Sequence, residues 1–217
     1  MAAKTKIAVL ISGGGTNLQA LIDAERAGQI PDGEIVLVVS NQPDAYGLTR
    51  AEKAGIPACT VTREKAVRGA DGRIDAADAA QKQADFERRL AEKLKEAGAE
   101  LIVLAGFLAI LGGGFVKRYP ERIFNIHPSL IPSFCGKGYY GLRVHEAALS
   151  YGVKVTGATV HYVNEIPDGG KIILQRAVYI EEGDTPESLQ KRVMQEAEWK
   201  ILPEAAELTA KKLREAK

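Results

Sequence analysis

The sequence predicts an α/β fold: an open, mainly parallel sheet flanked by helices, with an antiparallel edge in its C-terminal half. Three observations carry that prediction. Continuous apolar runs of strand length, such as Ile7–Ile11 and Leu101–Ala105, suit strands buried on both faces. Amphipathic stretches alternate with these runs, as successive β-α-β units require. In the C-terminal half the pattern changes to two β-rich runs joined through a glycine-containing loop.

Taken in order, Ile7–Ile11 is the first strand and ends at Ser12-Gly13-Gly14-Gly15. A helix starts at Thr16, with Leu18, Leu21 and Ile22 at helical spacing and Gly28 near its end as a stop signal. Glu34–Ser40 is the second strand. Asn41-Gln42-Pro43-Asp44 is loop chemistry, and Ala45–Ala54 is a short helix before Gly55. Ala58–Thr62 is a short third strand. Residues 63–73 are polar, contain glycine and read as a mobile loop. Ile74–Ala97 is a long helix, Leu101–Ala105 the fourth strand and Ile123–Ile126 the fifth. Val155–Val163 and Lys171–Ile180 flank Pro167-Asp168-Gly169-Gly170 and read as an antiparallel pair. Thr185-Pro186 is a helix start, a hydroxyl cap followed by proline at the first helical position. The final helix covers roughly 186–215, and Pro203 breaks or kinks it. A single domain over residues 1–217 is expected.

Composition narrows the function. Lys+Arg is 29 and Asp+Glu is 28, so the net charge of +1 offers no strong field for nucleic acid or an anionic membrane. Cys59 and Cys135 are the two cysteines, and no Cys-x-x-Cys pair argues for a zinc ribbon or a disulfide scaffold. No secretory signal follows Met1–Lys6, and no apolar run approaches the roughly 20 residues of a membrane helix. A cytoplasmic protein with small-molecule partners is expected, without nucleic acid or membrane.

The segment Ser12-Gly13-Gly14-Gly15-Thr16-Asn17 links a strand to a helix N-terminus. Glycines let backbone amides approach a ligand, and the helix end carries partial positive charge, which together favour an anion such as phosphate. Leu18 occupies the third glycine position of a dinucleotide fingerprint, and no Gly-Lys-Ser/Thr follows. A phosphomonoester therefore fits better than a dinucleotide or a triphosphate. The bland alternative is a tight turn with no ligand.

In Asn125-Ile126-His127 an extended backbone puts Asn125 and His127 on one face and Ile126 on the other. Asp168 lies in the later loop. An amide and an imidazolium can both donate to a developing oxyanion, and a carboxylate favours the imidazolium. Such a trio suits acyl transfer by direct attack of an amine. Taken alone, His127 is better explained as a satisfied, partly buried histidine. The three histidines, His127, His145 and His161, lack the local spacing of a metal-ligand pair, so no metal is expected. His161 shares a strand face with Thr159 and Val163 and reads as a supporting residue. Cys135 could act as a nucleophile beside His127, but a free cysteine is more simply a small hydrophobe.

These motifs resemble those of the phosphoribosylglycinamide formyltransferases, which are folate-dependent enzymes of purine synthesis. The resemblance runs over nearly the whole chain. It is carried by Ile11-Ser12-Gly13-Gly14-Gly15-Thr16-Asn17-Leu18, Ala105-Gly106-Phe107-Leu108-Ala109-Ile110-Leu111, Asn125-Ile126-His127-Pro128-Ser129-Leu130, and Gly157 through Asp168-Gly169-Gly170. It implies a Rossmann-like formyltransferase fold, with glycinamide ribonucleotide and 10-formyltetrahydrofolate as the two substrates. The resemblance assigns Gly15, Thr16 and Asn17 to the substrate phosphate, and Asn125, His127 and Asp168 to catalysis. It assigns Leu108, Ala109, Leu111, Asn164 and Glu165 to the folate cleft, and Glu198 to a substrate contact. It implies a monomer or a homodimer. The pattern departs at Ala109 and Gln83, where basic residues are common, and at the longer segment Cys135–Gly141. Trp199 follows Glu198 where histidine is usual, and one extra residue precedes Pro203. A formyltetrahydrofolate deformylase using water as acceptor, and a nucleotide-sensing module without chemistry, are the rival readings.

Overall fold

The computed structural model describes residues 3–68 and 72–217. Its centre is a seven-stranded sheet in the order β3-β2-β1-β4-β5-β6-β7. The strands are β1 (Thr5–Ile11), β2 (Gly33–Ser40), β3 (Ala58–Thr60), β4 (Leu101–Leu104), β5 (Ile123–His127), β6 (Val155–Tyr162) and β7 (Ile172–Tyr179). The first five pair in parallel. β6 joins β5, and β7 joins β6, antiparallel. This is the mixed sheet expected from the sequence.

Side chains alternate along β1 because successive residues of a strand point to opposite faces. Ile7, Val9 and Ile11 enter one core, and Ala8 and Leu10 enter the other. The first core is completed by α1 (Thr16–Arg26) and by the C-terminal helices, through Leu18, Leu21, Ile201 and Leu202. The second is completed by α3 (Ala76–Glu96), through Phe86, Leu90 and Leu94, together with Phe115. Burial on both faces is the physical reason these strands read as unbroken apolar runs.

Helix ends follow local chemistry. The Asp75 carboxylate accepts from the amides of Ala77 and Asp78, so α3 begins after Asp75 rather than at Ile74. The Thr185 hydroxyl accepts from the Ser188 amide, and the Ser188 hydroxyl accepts from the Thr185 amide. That reciprocal pair starts α6 (Pro186–Val193) with proline in its first turn. The remaining helices are α2 (Tyr46–Ala54), α4 (Gly113–Val116), α5 (Leu142–Tyr151) and α7 (Trp199–Glu215).

Three expectations need correction. The single C-terminal helix is divided by a π-helical turn over Met194–Glu198, and Pro203 lies inside α7 without ending it. The i→i+5 hydrogen bonds of this turn make it wider than the α-helical turns on either side. Second, α4 and α5 are absent from the sequence reading. Third, β3 stops at Thr60, two residues early. Part of the loop expected over 63–73 lies outside the described residues. Among those described there, Arg68 and Ile74 form an isolated antiparallel bridge.

Candidate active site

Strand order reverses on either side of β1, which has β2 on one side and β4 on the other. In open α/β sheets, ligands bind beyond the carboxyl ends of strands at such a switch point. Here β1 delivers the glycine loop, β4 the segment after Leu104, and β5 delivers Asn125 and His127. The first two are tied together: the Ser12 amide donates to the Gly106 carbonyl at 3.1 Å, and the Leu108 amide donates to the Ser12 hydroxyl at 2.7 Å.

Gly15 holds φ of 70°, a left-handed conformation that glycine adopts without strain, and it caps α1. A Cβ there would stand 2.7 Å from the Cα of Gly47, so the loop and the start of α2 touch backbone to backbone. The Gly47 amide also donates to the Gly13 carbonyl at 3.0 Å. Asn17 follows in the first turn of α1 and is buried. Its Nδ2 donates to Glu198 Oε2 at 2.6 Å. Glu198, at the end of the π-helical turn, is buried, and burial pushes its carboxyl up to about 6 against the pull of that hydrogen bond.

Asn125 and His127 share a face of β5, and Ile126 points into the first core. In the register with β6, Asn125 stands opposite His161, and its Nδ2 is 3.3 Å from His161 Nε2. His161 Nδ1 is fixed at 2.9 Å from the Tyr162 carbonyl oxygen. Asp168 sits between the two histidines. Its Oδ2 is 3.6 Å from His127 Nδ1, and its Oδ1 is 3.5 Å from His161 Nε2. Asp168 itself has φ of 57°. Asn164 organises that loop: its side-chain oxygen accepts from the Ile166 amide and its Nδ2 donates to the Gly169 carbonyl. Residues far apart in sequence thus meet at one point.

His127 is 4% exposed and contacts oxygen at both nitrogens, with Nε2 2.9 Å from the Phe134 carbonyl. One nitrogen is within hydrogen-bond distance of a carbonyl, and a carboxylate lies 3.6 Å from the other. Burial nevertheless pushes its pKa below the usual histidine value, opposed by Asp168 and the Phe134 carbonyl. The carboxylate raises the pKa as expected, but burial outweighs it. Asp168 keeps its carboxyl below the usual range despite burial, helped by His161, His127 and the Gly136 amide at 2.8 Å. The turn after β5 is pinned from β6 and β7. The Thr159 hydroxyl donates to the Ser129 carbonyl, and Gln175 Nε2 donates to the Ile131 carbonyl.

The two halves open into one cavity of about 720 Å³, whose walls include Thr16, Asn17, Asn125, His127, Asp168 and Glu198. The sequence pattern of the formyl transferase family matches residues 5–206. Phosphoribosylglycinamide formyltransferase from Haemophilus influenzae is 41% identical over 198 residues, covering 91% of this chain and 84% of the relative. The chain belongs to the formyl transferase family, in its phosphoribosylglycinamide formyltransferase branch. The solved glycinamide ribonucleotide transformylase 1 from Symbiobacterium toebii superposes with a TM-score of 0.80 at 42% identity. That alignment covers 96% of this chain and 89% of the other. The trifunctional purine biosynthetic protein adenosine-3 of Bos taurus is 44% identical over 207 residues, and the chain spans 18% of that longer relative.

The residues assigned to folate by resemblance to these formyltransferases divide between two hollows. Ala109, Leu111, Asn164 and Glu165 line a smaller cavity of about 130 Å³, which shares Asn125 and Asp168 with the larger one. Leu108 lines the larger cavity and is exposed. Glu165 is paired at 2.6 Å with Lys117. Gln83 donates to the Ile110 carbonyl at 3.0 Å and so fastens α3 to the segment after β4. Cys135 donates to the Pro132 carbonyl, and burial pushes its thiol pKa up, with Asp168 adding to that rise. Among the described residues no hydrogen bond links the thiol to a base. Sequence reasoning missed His145 and the Phe134 carbonyl. His145 is buried on α5, lines the larger cavity and has no partner at either ring nitrogen among the described residues. The helical spacing of Val144 with Ala148, ended by Gly152, was the signal that could have placed it.

Proposed function

We propose that this protein transfers the formyl group of 10-formyltetrahydrofolate to the amine of glycinamide ribonucleotide, with Asn125, His127 and Asp168 as the catalytic groups. The observation that carries the reading is the single cavity joining the Thr16–Asn17 loop to Asn125, His127 and Asp168. It accommodates a phosphomonoester at one end and a reacting carbonyl at the other. Gly15, Thr16 and Asn17 receive the phosphate, with backbone amides and the start of α1 supplying the partial positive charge. Glu198, held by Asn17, contacts the ribonucleotide. Leu108, Ala109, Leu111, Asn164 and Glu165 line the folate side.

The amine attacks the formyl carbon, the new C–N bond forms, and the carbonyl oxygen gains charge. Asn125 Nδ2 donates to that oxygen, and His127 donates once the oxygen displaces the Phe134 carbonyl from Nε2. Burial disfavours the charged ring, and the facing Asp168 carboxylate favours it. The charged ring gives its proton to the folate nitrogen as the old C–N bond breaks, and the proton shed by the attacking amine recharges it. Asp168 holds the transient imidazolium. His161 and Asn164 keep Asp168 in place.

The test is an assay of protein with 10-formyltetrahydrofolate, with and without glycinamide ribonucleotide. The reading expects formylated ribonucleotide and a matching amount of tetrahydrofolate, with negligible release when the ribonucleotide is omitted. Deformylation at the same rate without it would establish a hydrolase and overturn the reading. No turnover under either condition would establish a binding module.

A further inference from the structure

We infer that Lys137, in the segment Cys135–Gly141, is the cation that closes over the phosphate of the ribonucleotide and sets the enzyme's preference for a phosphorylated acceptor. This rests on the acceptor proposed above being a phosphomonoester.

The charge balance of the larger cavity motivates it. The acceptor brings a phosphate of about −1.5 to −2 charge near neutral pH. The glycine loop offers backbone amides, Thr16 and Asn17, but no cation of its own. Asn17 is bonded to the Glu198 carboxyl, so the nearest ionisable group adds negative charge when ionised. Arg50 lies beside the loop but is committed: Nε donates to the Gly14 carbonyl at 2.8 Å and a terminal nitrogen to Gln19 at 3.1 Å. It lines a separate hollow behind α1 and not the catalytic cavity. Among the residues lining the catalytic cavity, Lys137 is the one lysine or arginine. It is exposed, and no ion pair or hydrogen bond engages it among the described residues.

Its setting is built to present it. Gly136 and Gly138 hold φ of 89° and 96°, so Lys137 sits on a tight excursion that glycine permits at low cost. The base of that excursion is anchored. The Tyr139 amide donates to the Gly136 carbonyl at 3.2 Å, and the Phe134 and Tyr139 rings pack at 6.5 Å. Arg143 stacks over the Tyr140 ring at 4.9 Å. The smaller cavity, on the side of Asn164 and Glu165, contains none of residues 136–141. Lys137 instead lines the cavity that holds Thr16 and Asn17, which points it to the acceptor phosphate.

Two measurements test this. Calorimetric titration with ribose 5-phosphate should show binding to the wild type, about tenfold weaker binding to Lys137→Gln, and near-wild-type binding to Lys137→Arg. Steady-state kinetics should show KM for glycinamide ribonucleotide rising by a similar factor in Lys137→Gln, with KM for 10-formyltetrahydrofolate unmoved. Equal ribose 5-phosphate affinity in wild type and Lys137→Gln would overturn the inference. So would a rise confined to the folate KM, or a wild type that does not bind ribose 5-phosphate. If ribose 5-phosphate binding depends on Lys137 but the wild type formylates nothing, the proposed reaction fails while this inference stands.

Discussion

Acidification should destabilise this protein chiefly through His145. The ring is fully buried on α5, neither nitrogen has a partner among the described residues, and burial holds its pKa at about 4 against 6.5 for a free histidine. His127 nearby adds a smaller push in the same direction. In the unfolded chain the ring takes a proton below about pH 6.5, and in the folded chain it refuses one until about pH 4. The stabilising contribution is therefore complete above the unfolded value and drains away as pH falls towards the folded one. The gap of 2.5 (6.5 − 4) at 1.36 kcal/mol each corresponds to about 3 kcal/mol. Urea unfolding from about pH 7 to pH 4, on wild type and on His145→Phe, measures it. The phenyl ring keeps most of the packing and removes the titration. The wild type should lose about 3 kcal/mol more than the variant over that interval. Carboxylates such as Asp184 and the depressed His127 add a slope common to both proteins, so the difference isolates His145. Parallel stability–pH curves would refute the reasoning.

Other consequences are equally measurable. Glu198→Gln removes a buried carboxyl whose raised pKa makes folding less favourable as pH climbs through about 6. Denaturation at about pH 8 should find the variant up to about 2 kcal/mol more stable, with no gain near pH 4, while KM for the ribonucleotide rises. Thr16→Val should raise that same KM and leave the folate KM alone in steady-state assays. Gly15→Ala forces a side chain into left-handed backbone and against Gly47, and thermal unfolding should show a loss of about 1–2 kcal/mol or more. Cys135→Ser should keep turnover within a few-fold, because the thiol is held protonated and reaches only the Pro132 carbonyl.

The frame of the molecule was legible because burial writes itself into composition. Ile7–Ile11 and Leu101–Leu104 are covered on both faces, so they carry no polar alternation to confuse them with loops. Thr185-Pro186 announces a helix start by local chemistry alone. The same locality explains the juxtaposition of Asn125 and His127, since a strand period of two fixes it. Asp168 was identified by its motif, but its place between two histidines comes from the pairing of β5 with β6, which no local pattern encodes. The π-helical turn before Trp199 was not legible either. A single five-residue turn is too short to leave a period of its own in the apolar pattern, yet it determines where Glu198 ends up. The depressed pKa of His127 depends on how completely the 130s loop covers it, a tertiary property that the presence of a carboxylate does not reveal.

Turnover of His127→Ala measures the proposed catalytic role of the imidazole most directly. With both substrates saturating, kcat should fall by about 10²–10³ while ribose 5-phosphate still binds with wild-type affinity, because the phosphate end of the cavity is untouched. Turnover within threefold of wild type would contradict it, and the imidazole between Asp168 and the Phe134 carbonyl would then be a structural group only.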